Sequence, residues 1–151
     1  ELSWENLQAD IRAAASEGRK AIFIDPITVL TNGVPSADAN TLLQKFAQGL
    51  SQMAMDLGLI VHIFCHLKSP DAGPPHERGG EVQSYQFAGS RAMMRACNAM
   101  IGMEGNKDPN LPLEQRNLRD LILLEDRQTG STGKVKLYYD AVTGQFNEII
   151  R

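Results

Sequence analysis

Lys20-Ala-Ile-Phe-Ile-Asp25-Pro-Ile-Thr28 and Leu59-Ile-Val-His-Ile-Phe-Cys-His66-Leu-Lys68 are two short runs of β-forming residues, each ending in polar side chains. Both runs are apolar on both faces, the pattern of strands covered on each side in a parallel sheet. Between them Ala39, Leu42, Leu43, Phe46, Ala47, Leu50, Met53, Ala54 and Leu57 fall on one stripe at helical period, stopped by Gly58. Strand, helix and strand in that order make one right-handed parallel crossover. Open sheets of this kind gather ligands outside the carboxyl ends of their strands. Asp25 and His66 stand at those ends.

Upstream, Ser3 can cap a helix with Trp4, Leu7, Ile11 and Ala14 or Ala15 on one face, closed by Gly18. Asn32-Gly33 and Pro35 make a loop, and Ser36 can cap the long helix. Residues 68–83 turn polar, with Pro74-Pro75 and several glycines; aperiodic loops of that length in compact domains are usually functional or disordered. Beyond it the pattern predicts a short helix over 89–96, a strand over 98–103 and a polar loop over 105–117. A further buried strand follows over 121–124, then a turn over 128–133 and a half-exposed strand over 134–140, returned as a hairpin at Thr143-Gly144. The fold class is α/β: a partial parallel sheet with flanking helices and a C-terminal antiparallel hairpin, one domain over residues 1–151.

A chain of 151 residues is long enough for one sizeable core and short for two. Hydrophobic content of 42% with 22% charged residues is that of a soluble globular protein. A formal charge of −3 excludes a protein that coats nucleic acid by charge alone; such contact needs a local basic loop, multiplied by assembly. Cys65 and Cys97 are too few for a disulfide framework and are expected reduced, in a cytoplasm-like compartment. The sequence shows no signal peptide or 18-residue apolar span, so no membrane partner is expected. It opens at Glu1 directly in a helix pattern, and a piece of a longer polypeptide is the expectation. A glycine-rich phosphate loop ending in Gly-Lys-Ser/Thr does not occur in it.

An aspartate at the end of an apolar strand can hold magnesium through water and polarise an attacking water, which is the functional reading of Asp25. An aspartate capping a loop before Pro26 is the alternative. A neutral imidazole at His66 can donate to a γ-phosphate; a core or capping histidine is its alternative. His62 reads as a satisfied core histidine and His76 as a solvated loop residue. Lys68 lies two residues past His66, at most about 7 Å along an extended chain. With Arg78 it marks a flexible loop that either meets a nucleic-acid backbone or is merely solvated. Arg127, after a strand and before a Gly-rich turn, can reach a triphosphate held by a neighbouring subunit, or be an exposed turn arginine. Arg91 and Arg95 share a helix face at a spacing where like charges repel by a few tenths of a kcal/mol. An anionic partner and a partly exposed face are both compatible with that pair.

Taken in order, these motifs resemble the RecA-type motor domain of ring-shaped replicative helicases, above all phage bifunctional primase-helicases and the Twinkle type, with DnaB-type helicases further off. Ile22-Phe-Ile-Asp25 is similar to the Walker B strand. Phe64-Cys-His66-Leu-Lys68-Ser-Pro-Asp71 resembles the phosphate-sensor histidine running into a DNA loop of the central channel. Gly89-Ser90, then Arg127-Gln-Thr-Gly130 with Thr132-Gly133, resemble the motifs that follow. The resemblance implies a C-terminal portion of a RecA-like helicase motor domain, acting in the complete protein as an NTP-dependent DNA helicase. It implies ATP or dTTP with Mg2+ as cofactors, Asp25 serving the magnesium, His66 sensing the γ-phosphate and Arg127 acting as an arginine finger across a subunit boundary. It further implies that Lys68 and Arg78 contact single-stranded DNA, that Tyr139 stacks on the base (a half-buried hairpin aromatic is its alternative), and that the complete protein is a homo-hexamer with a possible primase domain. The cytoplasm of a bacterium or phage-infected host is the implied location, ahead of the mitochondrial matrix.

The sequence departs from that pattern at Glu125, where a lysine often precedes the finger, and at Ala72 and Pro74, where further channel-loop lysines are expected. Gly105 stands in place of an arginine that can sandwich the base, and Met94-Arg95 replaces an Arg-Gln pair. The phosphate loop and the catalytic glutamate are expected upstream of Glu1, so these 151 residues are expected to be inactive alone. Two other functions stay open: a RecA-like recombinase or regulatory ATPase, and a non-catalytic α/β DNA-binding or assembly module.

Overall fold

The computed structural model describes residues 3–149; the side chains of Ser36, Ser90, Arg91 and Ala92 lie outside the description. The capping role of Ser36 and the Arg91–Arg95 pairing therefore fall outside the described residues. The chain divides into two compact units, one formed by residues 1–67 and 87–97, the other by 68–86 and 98–151. Among the described residues no helix is long and apolar enough to cross a membrane.

The first unit is built on the crossover. Helix α1 (Trp4–Ser16) starts where the Ser3 hydroxyl accepts the Asn6 amide at 3.1 Å, satisfying one of the orphan donors of the first turn. Helix α2 (Ser36–Leu57) ends on Gly58 in the left-handed conformation, which glycine adopts without a Cβ penalty. Its apolar stripe buries Leu43, Phe46, Ala47, Leu50 and Met53, with Ile11 of α1 and Met93 of α3 (Ser90–Ala96) in the same core. Trp4 stacks on Phe46 with ring centroids 4.9 Å apart. Strands β1 (Ala21–Ile24) and β2 (Ile60–Ile63) pair in parallel, Ala21 to Ile60 through Ile24 to Ile63. A 3-10 turn over Ile27–Thr31, absent from the predicted elements, follows a cis Asp25–Pro26 peptide and buries Ile27 completely.

Among the described residues of the first unit, the two strands are not covered on both faces. Ile22, Ile24, Val61 and Ile63 pack against the helical core, while Phe23, Ile60 and Phe64 are 65, 62 and 50% exposed. Among the described residues the first unit supplies helices to one face of the pair, so an apolar run that reads as doubly buried alternates in burial. His62 is corrected with it: it is an exposed residue whose ring stacks on Phe23 at 4.6 Å, not a satisfied core histidine.

The second unit is an antiparallel sheet in the order β3-β4-β5-β6, over Ala99–Gly105, Leu118–Asp126, Gly133–Asp140 and Gln145–Glu148. The predicted hairpin is present as β5–β6, but among the described residues the antiparallel part is larger than a margin and the parallel part is one strand pair. The 121–124 strand is nine residues long and half-buried throughout, and the 105–117 loop contains a helical turn, α4 (Leu113–Arg116). Gly102 leaves room for Val82: a Cβ there would lie 2.9 Å from the valine's Cγ1, so the small residue seats the 68–86 segment on the sheet.

Candidate functional site

Parallel pairing puts the carboxyl ends of β1 and β2 on one rim, and the ladder runs on past both strands. The Phe64 amide donates to Ile24 O at 2.8 Å and the Ile27 amide to Phe64 O at 3.1 Å, so Asp25 is bracketed by cross-strand bonds. Its carboxylate is exposed. His66 leaves the same rim, also exposed. Its carbonyl accepts the Ala88 amide at 3.1 Å, and an antiparallel bridge joins Leu67 to Phe87. The backbone under both side chains is thus held while the side chains face solvent, an arrangement compatible with binding a ligand from water.

Among the described residues no group of three or more metal-ligating side chains occurs. A bound Mg2+ would keep several waters and take one or two carboxylates plus substrate phosphates. Asp25 is the carboxylate of the rim that would serve such an ion.

In the second unit, the amide of Lys68 donates to Gln86 O at 2.7 Å and its carbonyl accepts the His76 ring at 3.1 Å; its side chain is exposed. Arg78 is exposed too, bridged to Asn106, whose side-chain amide donates to Arg78 O at 3.2 Å. The loop is therefore strapped down rather than free along its length. His76 corrects its reading as a solvated residue: it is half-buried and bonded.

Arg127 is exposed at the end of β4, its amide donating to Asn98 O at 2.9 Å. The turn behind it is organised by Asp126, whose carboxylate accepts the Thr129 hydroxyl and the Gln128 amide. Those two bonds, the hydroxyl first, hold its carboxyl below the usual aspartate range. Tyr139 is half-buried, its ring 5.1 Å from Phe146, and its amide donates to Asn117 O at the opposite end of β4. The nine residues of β4 (Leu118–Asp126) separate Arg127 from Tyr139, about 30 Å at the usual strand rise. The fold thus brings Asp25 and His66 to one rim, gathers Lys68 and Arg78 in one loop, and keeps Arg127 and Tyr139 apart.

Sequence reasoning missed Glu104, Asn106 and His76, the residues that strap the loop. Glu104 accepts the Val82 amide through one oxygen at 2.8 Å and Lys134 Nζ through the other at 3.1 Å. The single hint was a histidine directly after two prolines.

The fold is similar to that of solved ATPase and helicase domains. Over 98% of this chain and 52% of the other it matches a solved ATPase domain, with a TM-score of 0.73 at 17% identity. A DnaB-like replicative helicase, solved in a study of its interactions with primase, matches over 95% of this chain and 34% of its own, with a TM-score of 0.72 at 17% identity. In sequence the chain is similar to the DNA helicase/primase of Enterobacteria phage T3, 29% identical over 116 residues, covering 77% of this chain. The chain spans 20% of that relative's length. No family model matches the sequence.

Proposed function

We propose that the chain is part of an ATP-dependent replicative DNA helicase of the primase-helicase kind, coupling nucleotide hydrolysis at subunit boundaries to movement along single-stranded DNA. The observation that carries this reading is the shared rim: an exposed aspartate and an exposed histidine leave the carboxyl ends of two parallel strands, and the chain runs from the histidine straight into the loop that carries Lys68 and Arg78.

In this reading Asp25 holds the Mg2+ of ATP or dTTP, and bound magnesium neutralises charge on the phosphates. His66 donates an N–H to the γ-phosphate and passes its presence or loss to the loop two residues on. Lys68 and Arg78 meet the phosphates of single-stranded DNA. Their few charges act through several copies, as a homo-hexamer would supply, because linked weak contacts multiply into avidity. Arg127, set by the Asp126 turn, reaches a triphosphate on the next subunit, and Tyr139 stacks on a base. A primase domain on the same polypeptide and action in the cytoplasm of a bacterium or phage-infected host complete the proposal.

The test is His66→Ala in the full-length protein. Nucleotide hydrolysis should persist while unwinding of a forked duplex falls at least ten-fold. Unwinding at the unmutated rate removes the sensor role and the coupling built on it.

A further inference from the structure

We propose that His76 is a positioning residue: its ring clips the 68–86 loop closed and so fixes the backbone from which Lys68 reaches a nucleic-acid phosphate. The proposal rests on the reading of Lys68 as a phosphate contact.

The ring of His76 lies between the two ends of the loop's first half. Its Nε2 lies 3.1 Å from Lys68 O, where a ring N–H can donate, and Nδ1 lies 3.4 Å from Gly80 O. The Lys68 amide is engaged as well, by Gln86 O at 2.7 Å, so this one residue is tied to both a later turn and the loop's far end. The turn that carries the ring is itself built: the Arg78 and Gly80 amides both donate to Pro75 O, at 2.9 and 3.0 Å. Gly80 must be glycine for the chain to close there, because a Cβ would run into the carbonyl oxygen of Pro74. From outside, Lys107 N donates to Glu77 O at 2.7 Å, holding the turn to the end of β3.

A polar loop with two prolines and several glycines has no apolar face with which to order itself, so its shape depends on these bonds. Among them the imidazole is the side chain that reaches back to the residue assigned to the phosphate. A loop already closed spends less ordering entropy when it meets a strand of DNA. Losing one net hydrogen bond of ordinary strength corresponds to about a five-fold weaker complex.

The experiment uses the full-length protein with a non-hydrolysable nucleoside triphosphate and a labelled oligothymidylate, titrated over a series of salt concentrations. His76→Ala should bind about five-fold more weakly at each salt, with the slope of log affinity against log salt unchanged, because the lysine charge is still present. His76→Gln, whose amide N–H can reach Lys68 O, should recover most of the loss. Lys68→Ala should lower the affinity and make the slope shallower. If Lys68→Ala weakens binding but His76→Ala does not, the clip is wrong and the phosphate reading survives. Unchanged affinity and slope in Lys68→Ala end the phosphate reading, and this proposal with it. Weak binding by both His76 variants with equally lowered thermal midpoints reduces His76 to a structural residue and overturns the positioning role.

Discussion

Ile27→Ala tests whether the rim aspartate is held by the hydrophobic core. Ile27 has no exposed surface, lies two residues after Asp25, and donates its amide to Phe64 O. Truncation to alanine removes three buried methyl or methylene groups, about 2.4 kcal/mol at roughly 0.8 kcal/mol each. Ile27 belongs to the same buried cluster as Ile24 and Leu43, where incomplete collapse leaves a cavity. Adding that brings the loss to about 3–4 kcal/mol, inside the range of roughly 2–5 for such truncations. Val29, in the same 3-10 turn, is 37% exposed and supplies the control; Val29→Ala should cost about 1 kcal/mol or less. Urea unfolding followed through Trp4, the sole tryptophan of the chain, measures both. Magnesium-dependent nucleotide affinity of the full-length protein should fall further for Ile27→Ala than for Val29→Ala. Equal losses of stability in the two variants would refute the anchoring argument.

Arg127→Ala in the full-length protein should abolish turnover yet recover it when mixed with Asp25→Ala subunits, because a mixed ring contains boundaries with both residues intact; absence of rescue at every ratio removes the cross-boundary role. The folded-state pKa of Asp126 is lowered by its Thr129 and Gln128 bonds. Its contribution to stability is therefore complete above the unfolded value, and is lost as pH falls through the lower folded one. The Gln128 amide shift should titrate with a midpoint below 3.8, and a midpoint at or above that value contradicts the turn. Burial, with Cys97 nearby, pushes the Cys65 thiol up to about 11. Alkylation of Cys65 at pH 8 should be at least about 100-fold slower than in urea, and equal rates would show an open thiol.

The stripe on α2 and the Ser3 cap were legible because each depends on residues within a turn or two of one another, and periodicity records that directly. The parallel pairing of β1 and β2 was legible for a related reason, since a helix of that length between two strands leaves a crossover as the economical connection. The rim position of Asp25 and His66 followed from it. The long loop was recognised but its shape was not, because Glu104 and Asn106, which strap it, are 22 and 28 residues from their partners Val82 and Arg78.

By itself the sequence determined the α/β class, the order of the longer helices and strands and the polar residues that end the two apolar strands, all products of local pattern. Tertiary structure alone decided which face of those strands is covered. An apolar run looks the same whether one or two layers pack on it, so Phe23, Ile60 and His62 lie exposed against their pattern. It also decided the fate of His76, since whether an imidazole meets water or a carbonyl depends on where a distant stretch of backbone passes.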